Sequence, residues 1–406
     1  MPRFSSVVLV LTILISPVAF LAQPGDKPGS RKLVVISVAG LDARFLTEPP
    51  SRVKIPNIRK LIKRGAAASG VVGVAPSDSW PSQISIVTGV SPSSEEGAAM
   101  PLWLMASKNG LKTATIYWPD TVGAAVAFDF PAPREAAPGR NVQFDEVARR
   151  ASPPGIADRI EKASPGFQKE LWDDTSAARA AAFLLRAENP DLLLVQLSDV
   201  DWEQRETGAL SVYAREALEN DDDLIGQIAQ AVSPSTIVAL VSGHGFENQN
   251  YIVRPRVLLK QGKQPAAAVP LQVEDGLIGT SDRAVAERLR KLLADGHRHG
   301  LAREVPMTEV SEKAPRLTRW VAAFDTPANY VASPQDRGPA LGPGTHLGIS
   351  GLWPGRPGYR SVFIIAGEGV SVRKLGEIDL LQIAPTLAGA IGVELPQAKR
   401  KSLWPL

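Results

Sequence analysis

The chain has 406 residues, a formal net charge of +3 and charges of both signs spread along its length. This length allows one large domain or two ordinary ones, and an apolar share of 44% is normal for a globular protein. The near-neutral balance excludes a strongly basic nucleic-acid-binding face and an acidic disordered tail. We therefore expect no nucleic-acid duplex among the partners.

Residues 1–22 have the pattern of a secretory signal peptide, with an apolar run from Val7 to about Leu21. A linker rich in Pro, Gly and Lys follows over 23–31. An uncleaved membrane anchor is the weaker alternative, because Pro17 interrupts the run and a span needs about 20 apolar residues. We predict export to the periplasm or the extracellular space, with no membrane span after the leader is removed.

From residue 32 onward, apolar runs typical of buried strands alternate with segments of helical periodicity. The predicted strands are LVVISVAG (33–40), SGVVGVA (69–75), TATIYW (113–118), DLLLVQLS (191–198), STIVALVS (235–242) and SVFIIAGEGV (361–370). The predicted helices are 55–66, 174–187, 211–232, 282–294 and 379–391. This alternation predicts an α/β domain over 32–406, with a mostly parallel sheet and helices on both faces. Residues 247–345 lack this rhythm, and we interpret them as a cap or insertion.

Polar residues follow several of the predicted strands. Ser79 comes after the second strand, Asp199 and Asp201 after DLLLVQLS, and His244 after STIVALVS. In open parallel sheets, ligands bind at the carboxyl ends of the strands. A carboxylate, a hydroxyl and an imidazole gathered there would suit divalent metals and phosphoryl chemistry.

Ser79 allows two interpretations. It stands two residues before Pro81, which fits the first turn of a helix, where its missing N–H costs nothing. A hydroxyl in that place is either an activated nucleophile or a helix cap, and the local pattern alone favours the cap.

The motifs LVVISVAGL, APSDSWPSQISIVTGVSP, PDLLLVQLSDVDWEQ, IVALVSGHGF and GPGTHLG occur in this order along the chain. With them, the chain resembles the alkaline phosphatase superfamily, and within it the type I phosphodiesterase/nucleotide pyrophosphatase group, from about Lys32 to Leu403. The resemblance implies an alkaline-phosphatase-like α/β fold and phosphoester hydrolysis. It also implies two zinc ions or related divalent metals, and a Ser or Thr nucleophile that forms a covalent phospho-enzyme.

The resemblance divides the site residues into kept and lost positions. It assigns the nucleophile to Ser79. The metal-ligand positions that keep a donor are Asp201, His244 and His346. The metal-ligand positions that have lost it are Ala39, Arg205 and Gly243. The asparagine that the family uses to contact a phosphoryl oxygen falls on Met100.

These losses predict an impaired two-metal site with at most partial zinc occupancy. A guanidinium has no lone pair to offer a cation, and a serine becomes a strong nucleophile only when a base or metal activates it. Arg205 could instead pair with Asp201, or bind a phosphate or carboxylate through two hydrogen bonds. The expected ligand is therefore a phosphorylated small molecule or another anion, with Arg205 and Met100 at its binding site.

Three functions stay open at this point, and the first is the impaired, anion-binding protein just described. The second is an active metal-dependent phosphodiesterase or phosphatase with Ser79 as nucleophile. It requires that nearby carboxylates replace the lost ligands, and the candidates are Asp42, Asp78, Asp199 and Glu203. A related reaction on sulfate or phosphonate esters is the third possibility.

Overall fold

The described residues form a central eight-stranded sheet with smaller sheets beside it. The computed structural model describes residues 31–49, 52–92, 99–132, 148–167, 173–260 and 265–406, so the predicted leader lies outside it. The strands are β1 (Leu33–Val38), β2 (Gly65–Val72), β3 (Thr113–Ile116), β4 (Phe128–Phe130), β5 (Leu192–Leu197), β6 (Ile237–Val241), β7 (Glu247–Asn248), β8 (Tyr251–Val253), β9 (Gln272–Glu274), β10 (Leu277–Thr280), β11 (Arg303–Val305), β12 (Ala322–Asp325), β13 (Tyr330–Ala332), β14 (Leu341–Pro343), β15 (Gly348–Ile349), β16 (Phe363–Ala366) and β17 (Arg373–Asp379).

Helices flank the sheet, as the alternating sequence pattern predicted. They are α1 (Ala43–Thr47), α2 (Pro56–Arg64), α3 (Ser79–Thr88), α4 (Leu102–Lys108), α5 (Ile156–Ala163), α6 (Asp174–Ala187), α7 (Asp199–Thr207), α8 (Val212–Ala231), α9 (Pro255–Leu258), α10 (Arg283–Ala294), α11 (Met307–Lys313) and α12 (Ile383–Ala390). None of them, within the described ranges, combines the length and the apolar character that crossing a bilayer requires.

The central sheet is mostly parallel, which confirms the predicted fold class. Its strand order is β17-β2-β16-β6-β1-β5-β3-β4. Only β16 runs antiparallel to its neighbours β2 and β6. Because β1 pairs with both β5 and β6, the segments that follow these three strands emerge side by side at one edge.

The central strands are buried on both faces. In β1, Val34 and Ile36 belong to the apolar core on one face, while Leu33 and Val35 belong to the core on the other. This is the arrangement that continuous apolar runs indicate, since neither face of such a strand can be left in water.

Three of the differences between the observed and the predicted elements have a clear physical cause or bear on the site. Strand β2 begins at Gly65, earlier than predicted, because Gly65 already pairs with β16. The two backbones are so close there that a Cβ on Gly65 would lie 2.0 Å from the carbonyl oxygen of Ile365. Strand β17 was not predicted, since its charged and largely exposed sequence RKLGEID contains no apolar run. Helix α7 was also not predicted, and it carries Asp201.

Smaller sheets lie in the segment that we interpret as a cap, residues 247–345. One has the strand order β11-β12-β10-β9 and the other β13-β8-β14. The first packs against α10 through its own apolar core, which includes Ile278, Leu289 and Phe324. This part of the chain therefore has a core that is separate from the two cores of the central sheet.

A buried arginine connects this segment to the chain that follows it. The Arg356 guanidinium donates to Glu247 Oε2 at 2.8 Å and to Asp325 Oδ1 at 2.7 Å. All three side chains are at most 5% exposed. Burial lowers the pKa of Arg356, but the charges of the two carboxylates outweigh it and raise that pKa, so the guanidinium stays charged.

We expect Arg356→Met to lower the free energy of unfolding by about 3–5 kcal/mol, because it removes the charged hydrogen-bond donor that the two buried carboxylates share and leaves only the more distant Arg303, 3.9 Å from Asp325. Urea unfolding at neutral pH measures this. Arg400→Met is the matched control, since Arg400 pairs with Glu312 at the surface and should lose less than about 1 kcal/mol. Equal losses in the two variants would contradict a stabilising role for the buried cluster.

Candidate functional site

Ser79 is the first residue of α3, and its hydroxyl is free to point into the site. Asp78 caps the helix instead, with its carboxylate accepting a hydrogen bond from the Ser79 N–H at 2.9 Å. The helix ends at Gly89, whose φ of 71° is the left-handed conformation common at helix ends. The capping role that the local sequence favoured for Ser79 is therefore wrong.

Three of the predicted site residues meet at the sheet edge. The Ser79 Oγ lies 2.9 Å from His244 Nε2 and 3.0 Å from Asp201 Oδ1. His244 Nε2 is also 3.3 Å from Asp201 Oδ1. Asp201 and His244 are buried, and the other ring nitrogen of His244 lies 3.1 Å from the Gly245 carbonyl oxygen. A hydroxyl, a carboxylate and an imidazole are thus within hydrogen-bond distance of one another.

Arg205 lies between two carboxylates. One turn of α7 separates it from Asp201, and its Nε donates to Asp201 Oδ2 at 2.7 Å. Its Nη2 donates to Asp78 Oδ1 at 2.8 Å and to Ser350 Oγ at 2.7 Å. The guanidinium also lies over the ring of Phe246, 5.4 Å from its centroid. These contacts hold a permanent positive charge next to Ser79.

The charges of this cluster stabilise one another. Burial by itself raises the pKa of Asp78, but the hydrogen bond from Ser350 and the charge of Arg205 outweigh it and lower that pKa to about 2. Burial likewise lowers the pKa of Arg205, while Asp201 and Asp78 together raise it above its ordinary value. Asp78 and Arg205 therefore stay charged across the physiological pH range.

Two of the positions at which the resemblance implies a lost donor adjoin the strand ends that form this edge. Ala39 directly follows β1, and its N–H donates to the carbonyl oxygen of Leu197 at the end of β5. Gly243 precedes His244, and a Cβ placed on it would lie 2.4 Å from the Cβ of Ser82 in α3. Real Cβ atoms essentially never approach so closely, so a side chain at position 243 requires either α3 or the segment after β6 to shift.

Among the described residues, no hydrogen bond or ion pair joins His346 or Met100 to this group. The His346 side chain is exposed, and its Nδ1 lies 3.1 Å from Asn250 Oδ1. In the described part of the chain it forms no hydrogen bond or ion pair with Ser79, Asp201 or His244. The Met100 sulfur accepts a hydrogen bond from Lys108, the last residue of α4. The roles that the resemblance assigns to these two residues stay predictions.

The four carboxylates considered as substitute ligands have different surroundings. Asp42 caps α1 and accepts two hydrogen bonds from the Arg44 guanidinium, each 2.8 Å long. Asp78 is bonded to Arg205, as described above. Asp199 and Glu203 line a separate cavity of about 310 Å³ on the other side of α7. Of the four, only Asp78 is hydrogen bonded to the cluster around Ser79.

Ser350 is a site residue that sequence reasoning missed. Its hydroxyl accepts from Arg205 and donates to Asp78 Oδ1 at 2.6 Å, so it bridges the two groups. The only sequence signal for it is its position four residues after His346. Its role depends on how the segment after β15 returns to the sheet edge, which no local pattern indicates.

Comparison with known proteins places the chain in a family. The family model for type I phosphodiesterase / nucleotide pyrophosphatase matches residues 33–96 and 94–313, more than half of the chain. No curated protein sequence matches it significantly.

Among solved structures, the chain is similar to human ectonucleotide pyrophosphatase / phosphodiesterase 5, with a TM-score of 0.57 and 14% identity. The match covers 90% of this chain and 96% of the human one. An inactive variant of the murine protein, in complex with AMP, matches with the same TM-score, identity and coverage. At this identity the structural likeness shows the fold alone, and the family rests on the sequence model. The chain therefore belongs to the type I phosphodiesterase / nucleotide pyrophosphatase family.

Proposed function

We propose that this protein is an exported family member that binds a phosphorylated small molecule and hydrolyses it weakly or not at all. Export is inferred from residues 1–22 alone. The observation that carries the proposal is the Arg205 guanidinium between Asp201 and Asp78, at a position where the resemblance implies a metal-ligating histidine. A fixed positive charge in this place competes with a metal ion for the same carboxylates.

The side chains present do not fit the two metal ions that the resemblance implies. At one position, both oxygens of Asp201 are within hydrogen-bond distance of Arg205, which has no lone pair to offer. At the other, Ala39 and Gly243 offer a methyl group and a hydrogen where carboxylates are implied. The remaining donors are too few, and too little charged, to balance two dications. We infer at most partial zinc occupancy.

The same arginine supports the binding of an anion. Its Nη1 donates no hydrogen bond within the described part of the chain, and the side chain is 33% exposed. The amino end of the ten-residue helix α3 adds a partial positive charge beside Ser79. Asp78 and Asp201 oppose an anion, so we expect modest affinity. Because a related murine protein was solved with AMP, a nucleoside monophosphate is the first ligand to test.

A second candidate function is metal-dependent phosphoester hydrolysis with an altered set of ligands. One observation favours it: the Ser79 hydroxyl lies 2.9 Å from an imidazole nitrogen, as an activated nucleophile would. In that case His244 and Asp201 would either accept the proton of the Ser79 hydroxyl themselves or bind the metal ion that activates this hydroxyl.

The first test measures metal content and hydrolysis together. We expect the purified protein to contain fewer than two zinc or manganese ions per chain. Its rate with aryl phosphomonoesters and phosphodiesters should equal that of Ser79→Ala, since too few ligands remain to hold the two metal ions that would stabilise the alkoxide and the charge of the transferred phosphoryl group. Two bound ions per chain and a rate that depends on Ser79 would establish the second candidate instead.

The second test measures the binding of AMP and inorganic phosphate by calorimetry. We expect Arg205→Ala to weaken binding about tenfold or more, because hydrogen bonds to charged groups contribute about 1.5–3 kcal/mol. Arg215→Ala is the matched control, since Arg215 lies in the neighbouring helix α8 and pairs with Glu48. This variant should bind both ligands as the wild type does. Unchanged affinity in Arg205→Ala, or no binding by the wild type, would contradict the proposed anion site.

A third test examines why the carboxylate at position 243 is absent. We expect Gly243→Asp to destabilise the protein by about 1–3 kcal/mol, since its Cβ would overlap Ser82. Ser82→Gly alone should cost about 1 kcal/mol, because glycine is unfavourable within a helix. Once this cost is subtracted, the double variant should recover most of the stability that Gly243→Asp loses. A double-mutant cycle by urea unfolding gives the coupling between the two positions. Strictly additive losses would show that Ser82 is not the obstacle.

A further inference from the structure

A cluster of three carboxylates lies on the opposite side of α7 from Ser79. Asp174 begins α6, Asp199 begins α7 and Asp221 lies within α8. One oxygen of each lies within 4.8 Å of the others. Asp174 is 3% exposed and Asp221 only 1%, so three acidic groups from three helices share a largely buried space.

The hydrogen bonding of this cluster is incomplete. The Asp174 oxygens accept from the backbone N–H groups of Ser198 and Asp199, at distances of 2.7 to 2.9 Å. Neither oxygen of Asp221 accepts a hydrogen bond from an N–H or hydroxyl group of the described residues, and its side chain is bonded only to the carboxyl group of Asp174 when one of the two carries a proton. No salt bridge among the described residues reaches any of the three carboxylates. A buried carboxylate without donors costs free energy of folding, so its negative charge must be balanced by a counter-ion or removed by a proton.

Burial and mutual repulsion disfavour three negative charges here. Burial raises the pKa of Asp174 to about 6, against the hydrogen bonds that lower it. Burial and the charges of its two neighbours raise the pKa of Asp221 well above its ordinary value. The cluster therefore gains free energy from any positive species that can enter it.

An acidic cavity borders the cluster at Asp199. It has a volume of about 310 Å³, and its lining includes Asp199, Glu203, Glu216 and Asn220. Asp199 belongs to both the cavity wall and the cluster. The carboxylates in the wall attract cations, and the space is large enough for a cation that keeps some of its water.

We propose that Asp174, Asp199 and Asp221 together bind one hard divalent cation, such as Ca²⁺, that enters through this cavity. Ligands that are all oxygen suit Ca²⁺, Mg²⁺ or Mn²⁺, and the separations of up to 4.8 Å allow three carboxylates to share one ion. The ion would hold the start of α7 against α6 and α8. Since α7 also carries Asp201 and Arg205, the cation would stabilise the helix on which the site at Ser79 is built.

Calorimetric titration of the full, chelator-treated protein with CaCl₂ tests this site, with MgCl₂ and MnCl₂ as comparisons. We expect one site per chain and a melting temperature that rises with added cation. Asp221→Asn should weaken binding about tenfold or more, as the loss of a ligand does. Asp223→Asn is the matched control, since Asp223 is an exposed neighbour on the same helix and the charge change is the same.

Two further variants keep the test decisive. If Asp221→Asn does not fold, Asp199→Asn at the cavity wall should show the same loss of affinity. Ser79→Ala should bind the cation as the wild type does, and this separates the new site from the one at Ser79. The absence of binding by any of the three cations would overturn the proposal. So would equal affinity in Asp199→Asn and Asp223→Asn, or loss of binding in Ser79→Ala.

Discussion

The ion pair between Arg205 and its two carboxylates determines the character of the site at the sheet edge. A guanidinium is charged at every physiological pH, and its planar donors satisfy Asp201 and Asp78 at once. A metal ion could occupy the same place and be exchanged or removed, whereas the arginine is part of the chain. The positive charge beside Ser79 is therefore supplied by the chain itself.

Helix α7 distributes its charged residues over two sides. Residues four apart lie on one face of a helix, which pairs Asp201 with Arg205 towards Ser79. Asp199 and Glu203, also four apart, line the cavity on the other side. One short helix thus carries Asp201, whose charge Arg205 neutralises, on one side and Asp199, which has no salt bridge among the described residues, on the other. The buried packing of α6 and α8 against it gives both sides their fixed geometry.

Close packing limits how this site can change. Gly243 lies against Ser82 of α3, so the backbone after β6 and the helix that carries Ser79 are in direct contact. A side chain at position 243 would have to move one of them away from the other. The absence of a side chain at this position and the present position of α3 are therefore physically linked.

Much of this protein could be read from its sequence. Continuous apolar runs such as LVVISV (β1) predicted strands buried on both faces, because only a covered strand can carry them. The polar residues after these runs predicted where Ser79, Asp201 and His244 would meet, because parallel strands end at a common edge. The chemistry of the guanidinium alone indicated that Arg205 cannot bind a metal, since it has no lone pair to donate.

Only the tertiary structure decided which groups actually pair. The ion pair of Arg205 with Asp78, the hydrogen bonds of Ser350 and the meeting of Asp174 with Asp221 join residues far apart in the chain. Such contacts depend on strand order and on the packing of α6, α7 and α8, and neither leaves a periodic signal in the sequence. The sequence by itself determined the elements and the chemistry available at their ends, whereas the three-dimensional packing decided which of these side chains lie within bonding distance.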